Sequence, residues 1–174
     1  GALIGLVLAS VWKVVTLRTQ PLTQAEITPP PIPSSFRSTV ANQTLDATLS
    51  CAPGSHLERS RALVGCFDAQ GTKNGPVLTF HSNGKVQRYA VWQSGKRNGM
   101  SWEIDEAGRP TLYEEYASDK RDGLYLLFDA KGRVATEAHY KRGELDGVRR
   151  EWRDGQLTTW QRFENGAGVE TKRL

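Results

Sequence analysis

The sequence predicts an all-β repeat: an extended antiparallel sheet of about four successive 24-residue β-hairpins, preceded by an N-terminal apolar helix and a proline-rich linker. Three observations carry this. Glycines recur at Gly75, Gly99, Gly123 and Gly147, 24 residues apart each time, and a second set follows at Gly84, Gly108, Gly132 and Gly155. An aromatic residue closes each copy, at Trp92, Tyr116, Tyr140 and Phe163. Between them the chain alternates apolar and polar residues, as in Pro76, Leu78, Phe80 and Leu124, Leu126, Phe128, which is the mark of a half-buried strand. A unit this short cannot bury its apolar side alone, so a fixed period of this size signals stacked elements.

Taken in order, residues 1–20 read as an apolar helix that spans or anchors to a membrane. Gly1 to Trp12 carry no charge, and the apolar character resumes at Val14 and Val15. A signal-peptide core and a helix packed on a partner protein are the rival readings. Lys13 and Arg18 follow the apolar run, which by the positive-inside rule would put the rest of the chain in the cytoplasm. Cys51 and Cys66 argue the opposite. They lack the spacing and histidine neighbours of a zinc site, so a disulfide closing a loop of about 16 residues, which requires an oxidising compartment, is the natural candidate, with two buried free thiols in a cytosolic protein as the rival reading. The cysteines are given more weight, so the repeats are expected to be periplasmic or otherwise extracytoplasmic.

Residues 21–50, with Pro29-Pro30-Pro31 and Pro33, read as an extended linker that lifts the repeats off the membrane. Residues 51–75 form a cap and half-repeat, with Phe67 in the closing-aromatic place and Asn74-Gly75 matching Asn98-Gly99. Residues 75–174 are the hairpins themselves. Each first strand ends in a turn signal, such as His81-Ser82-Asn83-Gly84 or Asp129-Ala130-Lys131-Gly132, and each second strand is rich in Tyr, Thr and Val.

Chemistry-bearing constellations do not stand out. His56, His81 and His139 are scattered, Glu114 and Glu115 point to opposite faces of a strand, and the glycines punctuate hairpins rather than cradle phosphate. The sequence therefore predicts no enzyme, no catalytic residue, no metal and no cofactor. Surfaces are more informative. Tyr89, Tyr113 and Trp160 occupy a register different from the closing aromatics and read as an exposed docking stripe on the less-needed face of a single-layer sheet. Tyr125, Arg149 and Arg150 join them as candidate partner contacts. Basic pairs at Lys96-Arg97, Lys120-Arg121 and Lys141-Arg142 line one edge, but Asp119, Asp122, Glu144 and Asp146 neutralise much of it. With a net charge of only +4, a dedicated nucleic-acid binder is not expected.

The stretches Phe80-x-x-Asn83-Gly84, Tyr140-Lys141-Arg142-Gly143-x-x-Asp146-Gly147 and Phe163-Glu164-Asn165-Gly166 resemble the MORN repeat, in the variant found in bacterial antitoxin-like and immunity-like proteins. The resemblance covers about 100 residues, from Gly65 to Gly168. Copy two departs with Ile104 and Ala107-Gly108, and copy four lacks one residue before Gly155. The resemblance implies an extended hairpin sheet that serves as a scaffold near membranes or protein partners, with no catalytic residue to carry over. The expectation is a non-catalytic, membrane-anchored interaction protein: an accessory subunit that docks on a larger membrane complex, with other subunits and the membrane as partners and no small-molecule substrate. An antitoxin covering a cognate toxin, and an anionic-lipid or nucleic-acid binder acting through the basic edge, are the alternatives.

Overall fold

The computed structural model describes residues 16–18, 21–40, 43–172 and 174. Three short elements come first: β1 (Thr16–Arg18), α1 (Gln24–Ile27) and α2 (Ser35–Thr39). The cap contributes β2 (Ser55–Ser60) and β3 (Leu63–Asp68). The repeats supply β4 (Lys73–Phe80), β5 (Val86–Gln93), β6 (Lys96–Ile104), β7 (Pro110–Ala117), β8 (Lys120–Phe128) and β9 (Val134–Lys141), then the two-residue β10 (Glu144–Leu145), β11 (Gly147–Arg153), β12 (Gln156–Glu164) and β13 (Ala167–Lys172). All belong to one open sheet of 13 strands whose spatial order follows the chain from β2 to β13, with β10 paired only to β9. Every successive pair is antiparallel. β1 adds in parallel at the far edge, with Thr16 opposite Glu170 and Arg18 opposite Lys172. The hairpin expectation holds. The helix expected over residues 1–20 does not hold at its end, because Thr16–Arg18 is extended; residues 1–15 lie outside the described residues.

The repeating glycines have a common job. Gly75 and Gly99 adopt φ of 128° and 120°, a region that disfavours any residue with a Cβ. A Cβ there would also lie 2.8 Å from that of Cys66 and 3.2 Å from that of Val91. Each glycine lets its strand kink where the register opposite the closing aromatic shifts, as between Ala90 and Trp92.

Residues opposite one another on antiparallel strands share a face, so the register defines two faces of the sheet. One row runs Val64, Leu78, Tyr89, Trp102, Tyr113, Leu126, Glu137, Arg150, Trp160. Beside it on the same face lie Phe80, Val86, Ile104, Phe128, Val134 and Trp152, and together these make the core. The cover comes from the proline-rich segment. Phe36, Val40 and Ala47 are buried on this face, with Leu45 and Leu49 packed beside them, and the Phe36 ring lies 5.0 Å from that of Trp102. Burial of an apolar side chain of this size contributes about 1.5–3 kcal/mol, enough to hold a proline-bearing chain whose unfolded ensemble is already restricted.

Residues 21–50 are therefore a strap across the sheet and not a spacer standing off it, which corrects the sequence expectation. Polar clasps fix both ends. Near the cap, Arg59 donates to the carbonyls of Leu45 at 2.6 Å and Ala47 at 2.8 Å, and the Cys51–Cys66 disulfide ties the strap's end to β3. Near the other edge, Trp152 Nε1 donates to the Ile27 carbonyl at 2.7 Å and Lys172 pairs with Glu26. Disulfides persist in oxidising compartments, so the bond fits an extracytoplasmic location. Among the described residues, no helix is long and apolar enough to cross a membrane. Replacing both cysteines by alanine is expected to cost about 3 kcal/mol on the chain-entropy estimate for a loop of this length, read as a lower urea midpoint with an equal or steeper slope, since the unfolded chain loses a cross-link.

Glu26 also makes the clasp pH-dependent. It closes a capping box on α1 with Thr23, and its bond to Lys172, with further help from the Thr23 N–H, lowers its pKa from 4.5 to about 2. A carboxyl depressed in the folded state stabilises above its unfolded pKa and loses that contribution as pH falls through the folded value. Hydrogen-exchange protection of residues 24–28 is expected to be flat from pH 7 to about 5 and to decline between about 4.5 and 2. In Glu26→Gln this decline should be absent.

Candidate functional site

The strap leaves the other face of the sheet uncovered, and this face carries a second 24-residue pattern. Opposite each closing aromatic, on the next strand, stands a long side chain: Lys73 faces Phe67, Arg97 faces Trp92, Arg121 faces Tyr116, and Leu145 faces Tyr140. Each cation also reaches the aromatic of its own copy. Lys73 Nζ lies 4.3 Å from the centre of the Trp92 ring and the Arg97 guanidinium 3.9 Å from that of Tyr116. Arg121 lies 5.4 Å from the rings of both Tyr125 and Tyr140. Rings and cations thus alternate across the strands, each cation held by the negative ring faces of its neighbours.

Two carboxylates lock the arginines. Arg97 Nε donates to Asp119 at 3.2 Å, while the Arg97 backbone N–H donates to the same oxygen at 2.9 Å. That backbone bond, then the side chain, pulls the Asp119 carboxyl below its ordinary range. Arg121 Nε donates to Glu114 at 2.6 Å, and the Tyr116 hydroxyl donates to the other oxygen of Glu114 at 2.5 Å. Glu114 is buried although it lies on the uncovered face, because the rings fold over it. Burial, and then the carboxylate of Glu114, push the Tyr116 hydroxyl up. Between Arg97 and Arg121, over Tyr116, lies a shallow, open cleft of about 410 Å³ whose lining Asp119, Lys120 and Gly143 complete. A longer groove of about 610 Å³ follows the same face past Lys73, Trp92, Arg88 and Glu103.

The structure divides the sequence-predicted residues between the faces. Tyr89, Tyr113 and Trp160 are buried on the strapped side, so they do not form an exposed stripe. Tyr113 packs 4.5 Å from Trp102 and donates to Glu115 at 2.6 Å, and the Lys172 amine lies over Trp160. Arg150 is also internal: it pairs with Glu137 and donates to the carbonyls of Ala25 at 3.0 Å and Glu26 at 3.1 Å. Burial raises the Glu137 carboxyl, but His139 and Arg150 outweigh it and the net shift is downward. Tyr125 and Arg149 do lie on the uncovered face, Tyr125 at 5.8 Å from Tyr140 and Arg149 paired with Glu151. Of the basic edge, Arg97 and Arg121 turn onto that face, while Lys96, Lys120 and Lys141 at strand ends and Arg142 in a turn are exposed. These turns stack on one another through bonds such as Asp119 N–H to the Arg97 carbonyl at 2.9 Å and Gly143 N–H to the Arg121 carbonyl at 2.8 Å.

Sequence reasoning missed the alternation of rings and cations. The signal was present: a cation stands two residues before Gly75, Gly99 and Gly123, and Leu145 breaks the series. Among the described residues, no group of three or more His, Cys, Asp or Glu side chains could hold a metal ion.

Fold and surface together define a single-layer β-hairpin repeat sheet, strapped on one face and open on the other. No family model matches the chain, and no curated protein does. Among solved structures it is similar over 66% of its length to one chain in a crystal structure of accessory secretory protein 1, 2 and 3 in Streptococcus pneumoniae, with 10% identity and a TM-score of 0.29. The match spans 20% of that chain. A likeness at this level carries no argument about function.

Proposed function

We propose that this chain is a non-catalytic, membrane-anchored scaffold of MORN-like repeats, an accessory subunit that docks on a larger envelope complex through the uncovered face of its sheet. The observation that carries this reading is the asymmetry of the faces. The strapped face satisfies its own apolar residues, whereas the open face holds half-buried aromatics fixed by cations, a surface already ordered before any partner arrives. The parallel pairing of β1 adds an orientation. Thr16 is the end of β1 nearer the edge formed by the inter-repeat turns, the edge that also exposes Lys96, Lys120, Lys141 and Arg142. A row of cations along one edge, in a chain whose sequence begins with an apolar stretch, suits a sheet standing on an anionic membrane surface, with its open face turned sideways to a neighbouring subunit. On the side of the disulfide, that surface is extracytoplasmic.

The test is photo-crosslinking in intact membranes with a benzoylphenylalanine placed at Trp92 or Tyr140 on the open face, and at Arg37 on the outer side of the strap. Adducts to a second protein are expected from the first two positions and not from the third. If all three positions give only uncrosslinked chain, and the protein leaves detergent extracts as a lone monomer, the reading is wrong.

A further inference from the structure

We propose that the cleft between Arg97 and Arg121 receives a carboxylate side chain from an acidic segment of the partner protein. This rests on the open face being the docking surface and names the chemistry that it reads. Both guanidiniums spend their Nε on an internal carboxylate, Asp119 and Glu114 respectively. Their terminal nitrogens have no acceptor among the described residues. One guanidinium lies 3.9 Å from the centre of the Tyr116 ring and the other 5.4 Å from those of Tyr125 and Tyr140, so aromatic faces help to hold both forks. Two forks tied at Nε and held beside rings, lining one cleft together with Lys120, are donors part of whose ordering entropy has already been spent in folding.

Charge selects the ligand. Three cations against two carboxylates leave the cleft one positive charge, which matches a single carboxylate and falls short of a dianionic phosphate or a polyanionic backbone. The setting agrees. The cleft lies on the sheet face with Tyr116 as its floor, where an extended peptide can reach it while its other side chains meet Trp92 and Tyr140. Copies of the repeat are two strands apart, about 10 Å. Lys73 holds the equivalent place beside Trp92 one copy earlier, so a segment with carboxylates at about that spacing would engage both.

The experiment uses the full chain in detergent and a fluorescein-labelled peptide of ten glutamates, with a peptide of ten glutamines as control, followed by anisotropy. The glutamate peptide is expected to bind and the glutamine peptide not, with affinity falling as salt rises. Arg97→Gln and Lys120→Gln should each weaken binding about tenfold, and Arg133→Gln at the opposite edge should leave it unchanged. Arg97→Lys, which keeps the charge but loses the fork, should recover only part of the loss. Arg121 is left intact, since removing it would strand the buried Glu114 and confuse binding with folding. Near-ultraviolet circular dichroism of each variant checks that the sheet is unchanged.

Absence of glutamate binding, or equal losses in Arg97→Gln and Arg133→Gln, would overturn the proposal. So would binding of phosphatidylglycerol vesicles that is lost in Arg97→Gln while the glutamate peptide stays unbound, because the anion would then be a lipid phosphate. If the peptide fails while crosslinks from Trp92 persist, the acidic ligand falls and the docking face stands; if both fail, both readings fall.

Discussion

Replacing Phe36 by alanine is expected to lower the unfolding free energy by about 3–5 kcal/mol, the usual range for emptying a buried aromatic site. Phe36 is the strap's largest contribution to the core, and its ring meets Trp102 at the middle of the strapped row. Trp102 is fully buried, while two more rings, Tyr113 at 4.5 Å and Phe128 at 6.0 Å, hold its other sides. Removing Phe36 leaves a cavity over the indole and removes the main apolar tie between strap and sheet. The measurement is urea unfolding followed by tryptophan fluorescence, with a red shift before the main transition if the strap lifts first. A loss under about 1 kcal/mol would mean that the strap is ornamental to stability, contrary to its buried contacts. Phe36→Leu, which refills most of the volume, should recover more than half of the loss.

The second large effect is expected at Arg150. Its side chain is 16% exposed and that of its partner Glu137 10%, so Arg150→Ala leaves a nearly buried carboxylate with only His139 beside it and also frees the carbonyls of Ala25 and Glu26. Breaking such a pair on one side costs about 3–5 kcal/mol, most of it the desolvation of the charge left behind. Replacing both partners, as Arg150→Met with Glu137→Leu, removes that orphan charge and should restore most of the stability, because the same row is otherwise apolar. A double-mutant cycle on urea midpoints measures the coupling directly. If the double variant were as unstable as Arg150→Ala, the cost would lie in the lost anchoring of α1, and hydrogen exchange at residues 24–28 would report it.

The sheet itself was legible because its determinants are local. The 24-residue glycine spacing, the turn sequences and the alternation along each strand set every hairpin without reference to distant residues. The disulfide was legible for a similar reason, since Cys66 falls in a half-repeat. What the sequence could not assign was which face would be covered. Alternation places Tyr89 and Tyr116 on opposite faces but treats the faces alike, and the choice between them depends on a segment far away in the chain. That segment was read by its prolines. Of its apolar residues, Phe36, Val40, Ala47, Leu45 and Leu49 pack on the sheet, while Ile27 and Ile32 stay exposed, so apolar content without a regular period did not announce the cover. Arg150 illustrates the consequence at the site. It looked like an outward charge in an atypical copy, whereas its place opposite Glu137, under the strap, makes it an internal clasp.

The strap also imposes an order on synthesis. Each hairpin closes through contacts a few residues apart and can form as soon as its second strand leaves the ribosome. Arg150 and Lys172, however, reach back 124 and 146 residues to Glu26. The segment around Glu26, among the first made, is thus the last that can be fastened, and it must wait while the Glu137 end of the strapped row lies open. Chains released before residue 150 would lack Trp152 and Trp160 from the strapped face, and their cover, held at the disulfide end and by Phe36 on Trp102, would be loose over residues 21–28. Such nascent chains are expected to need a holdase in the compartment where the protein folds, and a protease there would find the strap its easiest cut until the final strand is in place.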